Sequence, residues 1–232
     1  MGGQACVFYG AAEFSRDTDL AILASPENLR RLSQALNELQ AENIAVPPFD
    51  LEYLKRGHAI HFRCRRPDVQ GIRIDIMSEL RGLPPVQELW ERRTVLESAQ
   101  GGIYELLSLP DLVKAKKTQR DKDWPMIRRL LEADYFARGK APETRQVEFW
   151  LTEMRTPQLL IEVARANPGL CREFTERRLC LSLAALGDEA ALTQALFEEE
   201  QREREKDRQH WIPLKDELQR LRRERVRKKD IQ

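Results

Sequence analysis

The stretch Ser15-Arg16-Asp17-Thr18-Asp19-Leu20-Ala21-Ile22-Leu23 decides the fold, because two acids enter an apolar run that reads as a buried strand. Side chains alternate along a strand, so Asp17 and Asp19 share a face and leave their carboxylates close together. Ser25-Pro26 then closes the run with a helix cap and a proline suited to the first helical position. Leu29, Leu32, Leu36 and Leu39 recur at helical spacing, which predicts a helix whose apolar stripe lies on a sheet. Further on, residues 59–64 and 72–77 read as two strands of a hairpin around the polar Arg65-Arg66-Pro67-Asp68. In the second of these, Ile72, Ile74 and Ile76 take one face while Arg73, Asp75 and Met77 take the other. A further helix is expected through Glu97 and a short strand over 104–107.

A third acid on a neighbouring strand gives the pattern a chemical meaning. Three carboxylates gathered without a cation repel one another and drive a pKa upward. Hard Mg2+ takes oxygen ligands and keeps positions open for substrate phosphates. Two such ions on Asp17, Asp19 and Asp75 would serve in-line displacement at an α-phosphate, which is nucleotidyl transfer. Gly2-Gly3 supplies backbone without a Cβ for close approach to a triphosphate, and a helix over residues 4–9 would turn its first amides toward those anions.

Gly2-Gly3-Gln4-Ala5, a gap, Ser15-Arg16-Asp17-Thr18-Asp19 and the later Asp75 together resemble the nucleotidyltransferase superfamily of the polymerase-β type. Within it the glycine motif is similar to the branch of AbiEii toxin-like proteins and lincosamide nucleotidyltransferases. Residues 111–123, with Lys114, Lys116, Lys117, Arg120, Lys122 and Asp123, are similar to that branch's helix entry. The resemblance spans about the first 130 residues at the level of motifs. It implies an α+β fold with a small mixed sheet flanked by helices and followed by a helical C-terminal region. It also implies that Asp17, Asp19 and Asp75 are catalytic and hold Mg2+, Asp75 also helping to activate the acceptor hydroxyl. Gly2, Gly3, Ser15, Arg16, Lys116, Lys117 and Asp123 would bind the NTP, with Asp123 supporting the lysine or the acceptor side of the cleft. The acceptor it implies is RNA, protein or a small molecule; the charged tail favours a macromolecule, and an antitoxin or a second copy is an expected partner of the C-terminal helix. Family members carry an apolar strand and a helix ahead of the Gly-Gly pair, whereas here Gly2 follows Met1, so the core is expected to lack an N-terminal strand or to begin upstream.

The same residues admit plainer readings. Asp17 and Asp19 suit a solvated strand start, and Asp75 suits an ion pair with Arg73 or Arg63. The lysines suit a charged helix face, His61 a hydrogen-bonded strand histidine, and Trp90, Trp124 and Trp150 core or interdomain packing. A catalytically degenerate scaffold or an RNA-binding protein is the functional alternative.

The rest of the sequence narrows the setting. With 39 Lys+Arg against 38 Asp+Glu the net charge is +1, so no global charge marks a nucleic-acid or membrane-surface protein and partner arguments are local. No apolar run reaches the ~20 residues of a membrane helix, and no secretory leader opens the chain, so a cytoplasmic protein is expected. Cys6, Cys64, Cys171 and Cys180 form no C-x-x-C pair and read as reduced, packed thiols. The expected domains are a core over 1–109, a helical domain over 110–196 and a charged tail over 197–232. Helices are expected over 124–137, 144–154, 157–166, 171–186 and from 189 on, with breaks at Gly139, Pro142, Pro168-Gly169 and Gly187. The tail is expected to be a solvated, partly projecting helix interrupted at Pro213, ending in the basic run Arg220 to Lys229.

Overall fold

The computed structural model of the chain describes residues 1–99, 101–138 and 141–229. Gly139, expected as a break, and the side chains of Lys228 and Lys229 lie outside the described residues. The protein is α+β and divides into two compact units. The first comprises Met1–Phe8, Ala12–Ala115 and the chain from Gln209 on, and the second comprises Tyr9–Ala11 and Lys116–Arg208. Among the described residues no helix is long and apolar enough to cross a membrane.

In the first unit, α1 (Gly2–Phe8) leads to β1 (Asp17–Ala21), and α2 (Pro26–Glu38) follows. Ser25 caps α2, its side chain accepting from the Asn28 N–H with Pro26 at the first turn, a cap whose removal costs about 1 kcal/mol. Then come β2 (Glu42–Asn43), α3 (Leu51–Lys55), β3 (Ile60–Arg63) and β4 (Arg73–Met77). The four strands form one mixed sheet in the order β1-β4-β3-β2. β1 runs parallel to β4, while β3 is antiparallel to both its neighbours. The sheet buries Ile60, Phe62, Ile74 and Ile76 on one face together with Leu36 and Leu54. Leu29, Leu32 and Leu39 of the α2 region pack on that cluster, which is the use the helical leucine spacing foretold. Fully burying side chains such as Ile60 and Ile76 contributes about 1.5–3 kcal/mol each.

The helix expected through Glu97 is shorter than its reading. α4 (Val86–Glu91) stops at Arg92, and β5 (Thr94–Glu97) turns back as a hairpin with β6 (Ile103–Leu106). The β-branched Thr94 and Val95 suit a strand better than a third helical turn. Arg92 forks onto both carboxylate oxygens of Asp111 at 2.7 and 2.8 Å, fixing the start of α5 (Leu109–Ala115). Trp90 is 48% exposed with the Arg93 guanidinium 4.1 Å above its ring, so it is a surface platform for arginine rather than core.

The second unit is helical: α6 (Asp123–Arg138), α7 (Thr144–Glu153), α8 (Pro157–Ala166), α9 (Pro168–Thr175), α10 (Leu181–Leu186) and the first part of α11 (Glu189–Lys229). The single helix expected over 171–186 is two, α9 and α10. Ile127, Leu130, Leu131, Trp150, Leu151, Leu160 and Leu181 form its buried interior. Trp124 and Trp150 are buried, and their indole N–H groups donate to the Thr118 carbonyl and to Asp134, each at 2.8 Å.

The tail departs most from its reading. α11 runs unbroken through Pro213, and from Gln209 on it belongs to the first unit. Proline removes one helical hydrogen bond and crowds the preceding turn, at about 3 kcal/mol. Tertiary contacts flank the lesion: Leu214 is buried, and Glu217 accepts from Arg56 and from the buried His58, the latter at 2.7 Å. The tail is therefore docked through Leu214 and Glu217; Arg220, Arg222, Arg223, Arg225 and Arg227 beyond them are exposed, with Arg222 and Arg225 lining a pocket together with Ile44, Ala45 and Val46.

Candidate functional site

Register, which sequence cannot give, brings the three aspartates together. β1 pairs with β4 so that Asp17 faces Arg73 and Asp19 faces Asp75. Residues paired across adjacent strands project from the same face, opposite the apolar cluster of Ile74 and Ile76. On the other side of β4, His61 of β3 is the partner of Asp75. One face of the sheet thus carries Asp17, Asp19, Arg73, Asp75 and His61.

Asp75 is 8% exposed and its Oδ1 accepts from Arg73 Nε at 2.7 Å and meets His61 Nδ1 at 2.8 Å. Arg73 Nη2 also stands 3.1 Å from that same Nδ1. One ring nitrogen cannot both donate to the carboxylate and accept from the guanidinium. Both contacts involve a charged partner; the one to the carboxylate is the shorter, and in the tautomer with Nδ1 protonated the ring donates a hydrogen bond to Asp75, which stays ionised. Burial works to raise the Asp75 pKa, but the hydrogen bonds from His61 and Arg73 outweigh it and hold the carboxyl below its ordinary value. Arg73 is correspondingly pushed up by Asp75, with Asp17 and Asp19 adding to the effect.

The glycines are fitted to the acids. The Gly3 N–H donates to Asp19 Oδ2 at 3.3 Å, and the Met1 nitrogen donates to the Asp19 carbonyl at 2.8 Å. Gly2 has φ +66°, and a Cβ there would fall 1.8 Å from Asp19 Oδ2. At Gly3 a Cβ would fall 2.3 Å from Ser15 Oγ, which donates to the Asp17 carbonyl at 2.9 Å. Ser15 and the glycine pair are therefore part of the wall beside Asp17 and Asp19, whereas Arg16 is exposed.

Lys116, Lys117 and Asp123 belong to the second unit. There Asp123, 1% exposed, accepts from Lys116 at 3.2 Å, Thr118 at 2.6 Å and Arg120 at 2.7 Å. Lys117 takes a different partner, Glu153, with Nζ 2.6 Å from Oε2. The two lysines of the expected phosphate-binding pair are thus each committed to a buried carboxylate. His61 and Arg73 are the residues whose part in the site the sequence left open. The sequence offered Arg73 as an ion-pair partner of Asp75, which the structure bears out, but only strand pairing showed that His61 meets the same carboxylate.

Three carboxylates on one face are a hard-oxygen set suited to Mg2+, and the absence of a Cβ at Gly2 and Gly3 lets the Asp19 and Ser15 side chains pack directly against that backbone. Among the described residues no group of three or more His, Cys, Asp or Glu side chains is arranged to hold a metal ion. Positive charge on this face comes instead from the Arg73 guanidinium bonded to Asp75, with Arg63 at the register position beside it. No protein-family model and no curated protein matches the chain.

Proposed function

We propose that the chain is a divalent-cation-dependent nucleotidyltransferase that transfers a nucleoside monophosphate from an NTP to an acceptor hydroxyl. The observation that carries this reading is the in-register pairing of Asp19 with Asp75 on parallel strands, with Asp17 two residues away on the same face. Asp17, Asp19 and Asp75 would hold the ions, which supply the charge neutralisation that phosphoryl chemistry requires. The protein's own groups support the rest. His61 fixes the Asp75 carboxylate, Asp75 stays ionised at neutral pH because its pKa is lowered, and Gly2-Gly3 keeps side-chain bulk away from Asp19. RNA or protein is the acceptor the reading favours.

The test is incubation with each labelled NTP, Mg2+ and a cell extract, asking whether RNA, protein or small molecules gain label. Label in one fraction that disappears with Asp19→Asn is expected. No label in any fraction, or label that survives this substitution, overturns the reading.

A second reading rests on Arg73. A guanidinium bonded to Asp75 is the counter-ion that a nucleotidyltransferase-like scaffold without catalysis would keep, since it neutralises the acids without a metal. Calorimetry with Mg2+ and NTP on the wild-type chain and on Asp19→Asn separates the two, because the enzyme predicts a heat of binding that Asp19→Asn loses, whereas the scaffold predicts the same trace from both.

A further inference from the structure

The second unit contains a cavity of about 320 Å³ formed by side chains from Lys117 to Lys206, within the range of small-ligand sites at about 300–1,000 Å³. Six of its lining side chains are cationic and three are carboxylates, leaving three positive charges unmatched. Arg177, Arg202 and Lys206 are exposed, so the excess that burial makes costly is the one cation unmatched among Lys117, Arg155, Arg178, Glu153 and Glu199, and an anion would neutralise it.

Its floor is held in place by the fold. Arg178 donates to the carbonyls of Leu151 and Met154 at 2.8 and 2.9 Å, and both Arg178 and Arg155 bond Glu199 at 3.0 Å. Both arginines are 8% exposed. Burial works against the Glu199 anion, but Arg178 and Arg155 overcome it and keep the carboxyl below its ordinary value. Glu153 Oε2 lies 2.6 Å from Lys117 Nζ and 3.8 Å from Arg155 Nη2 as an ion pair, without the geometry of a hydrogen bond. Two floor carboxylates therefore face three floor cations. Among the described residues the buried Arg155 Nε has no hydrogen-bond acceptor, an omission that costs about 1–3 kcal/mol. Burial, with Arg178 beside it, also pushes the Arg155 pKa down, and an anion at its side would relieve both penalties. At the rim Lys206 pairs with Glu203 at 2.8 Å, while Arg177 and Arg202 are exposed.

We infer that this cavity binds a small, multiply charged phosphate-bearing ligand, with the unsatisfied Arg155 Nε at its floor and Arg177 and Arg202 closing over it from the rim. Guanidinium groups match phosphate oxygens in planar, paired hydrogen bonds, and a half-open cavity of about 320 Å³ with buried donors at its floor suits a small molecule better than a continuous nucleic-acid backbone. The site lies wholly in the second unit and does not rest on the reading of the carboxylate face.

Titration calorimetry on the full chain at low salt, with tripolyphosphate and with ATP, tests the inference. Saturable binding with Kd below about 1 mM is expected for at least one of them, and the two arms separate a bare phosphate chain from a nucleotide. The double variant Arg177→Gln/Arg202→Gln alters exposed residues, keeps the melting temperature, and should weaken binding at least about tenfold. Arg155→Lys keeps the charge but loses Nε and should weaken it as well; should it not fold, the rim variant decides alone. Asp19→Asn should leave tripolyphosphate affinity unchanged. No saturable binding up to about 10 mM, or binding within about twofold of wild type in the rim variant, overturns the proposal.

Discussion

Asp19 and Asp75 are register partners on parallel strands, and the Arg73 guanidinium bonded to Asp75 is raised in pKa by all three aspartates of that face. Arginine thus occupies the electrostatic role that a divalent ion would take. Replacing it with a neutral side chain of similar length leaves the acids uncompensated. Arg73→Met should therefore bind Mg2+ or Mn2+ about tenfold more tightly than wild type, as expected for removal of one competing charge at short range. Calorimetry with Mn2+ reads this directly, and unchanged or weaker affinity means that Arg73 does not compete for the acids. The same substitution removes one of the two hydrogen bonds that lower the Asp75 pKa while burial continues to raise it. The Asp75 carboxyl should then titrate at higher pH, visible as a shifted 13C resonance.

Gly3→Ala tests the wall beside Asp19. Its Cβ would sit 2.3 Å from Ser15 Oγ and 3.0 Å from Ser15 Cβ, so rotating the hydroxyl alone does not clear it. Ser15 must move and give up its hydrogen bond to the Asp17 carbonyl at the head of β1. The expected loss is about 1–3 kcal/mol, read as a lower melting temperature. The double variant Gly3→Ala/Ser15→Gly removes the obstructing side chain and should recover much of the steric part, though not the lost hydrogen bond. A double variant no more stable than Gly3→Ala alone would show that the clash lies elsewhere.

What the sequence displayed of this fold was local in origin. Alternation in β4 separated Asp75 from Ile74 and Ile76, and the cap at Ser25 with its leucine spacing marked α2, because each depends on residues a few positions apart. The pairing of β1 with β4 depends on residues more than fifty positions apart, so the face shared by Asp19, Asp75 and His61 was legible as a set of acids but not as a register. Pro213 misled for a related reason. Its local cost is real, but Leu214 and Glu217 lie on the far side of it and are held by partners such as His58, some 159 positions away in the chain. Lys116 and Lys117 look equivalent in sequence, yet one faces Asp123 and the other Glu153. A difference of one position on a helix end sends neighbouring side chains in different directions.

The docked tail predicts a stability effect that a free helix would not show. His58 is 1% exposed, and its Nε2 meets Glu217 at 2.7 Å. Glu217→Ala should destabilise the chain by about 1–3 kcal/mol by leaving the imidazole without its partner. The His58 hydrogen bond is the largest influence lowering the Glu217 pKa. A lowered carboxyl contributes stability above its unfolded value and loses it as pH falls through the folded one, so the Glu217→Ala penalty should be present at neutral pH and shrink in acid. Melting curves at both pH values check it, and a penalty that is constant or grows in acid contradicts the linkage. Truncation after Arg208 should cost more, since it also uncovers the surface beneath Leu214.

Asp123 gives the second unit its own acid sensitivity. Its carboxylate is buried among Lys116, Thr118 and Arg120, and although burial works to raise its pKa, Lys116 and the Thr118 hydrogen bond carry it below the ordinary value. The anion therefore stabilises the folded chain fully above its unfolded value near 3.8, and this contribution disappears as pH drops from there through the lower folded value. Asp123→Asn preserves size and one acceptor oxygen but removes the charge that three donors share. The variant should lose about 1–3 kcal/mol at neutral pH. Because its stability no longer depends on that proton, the gap to wild type should narrow in acid. Thermal unfolding from about pH 7 down to about pH 3 follows the gap; curves that stay parallel throughout would mean that Asp123 is not the titrating support of this helix entry.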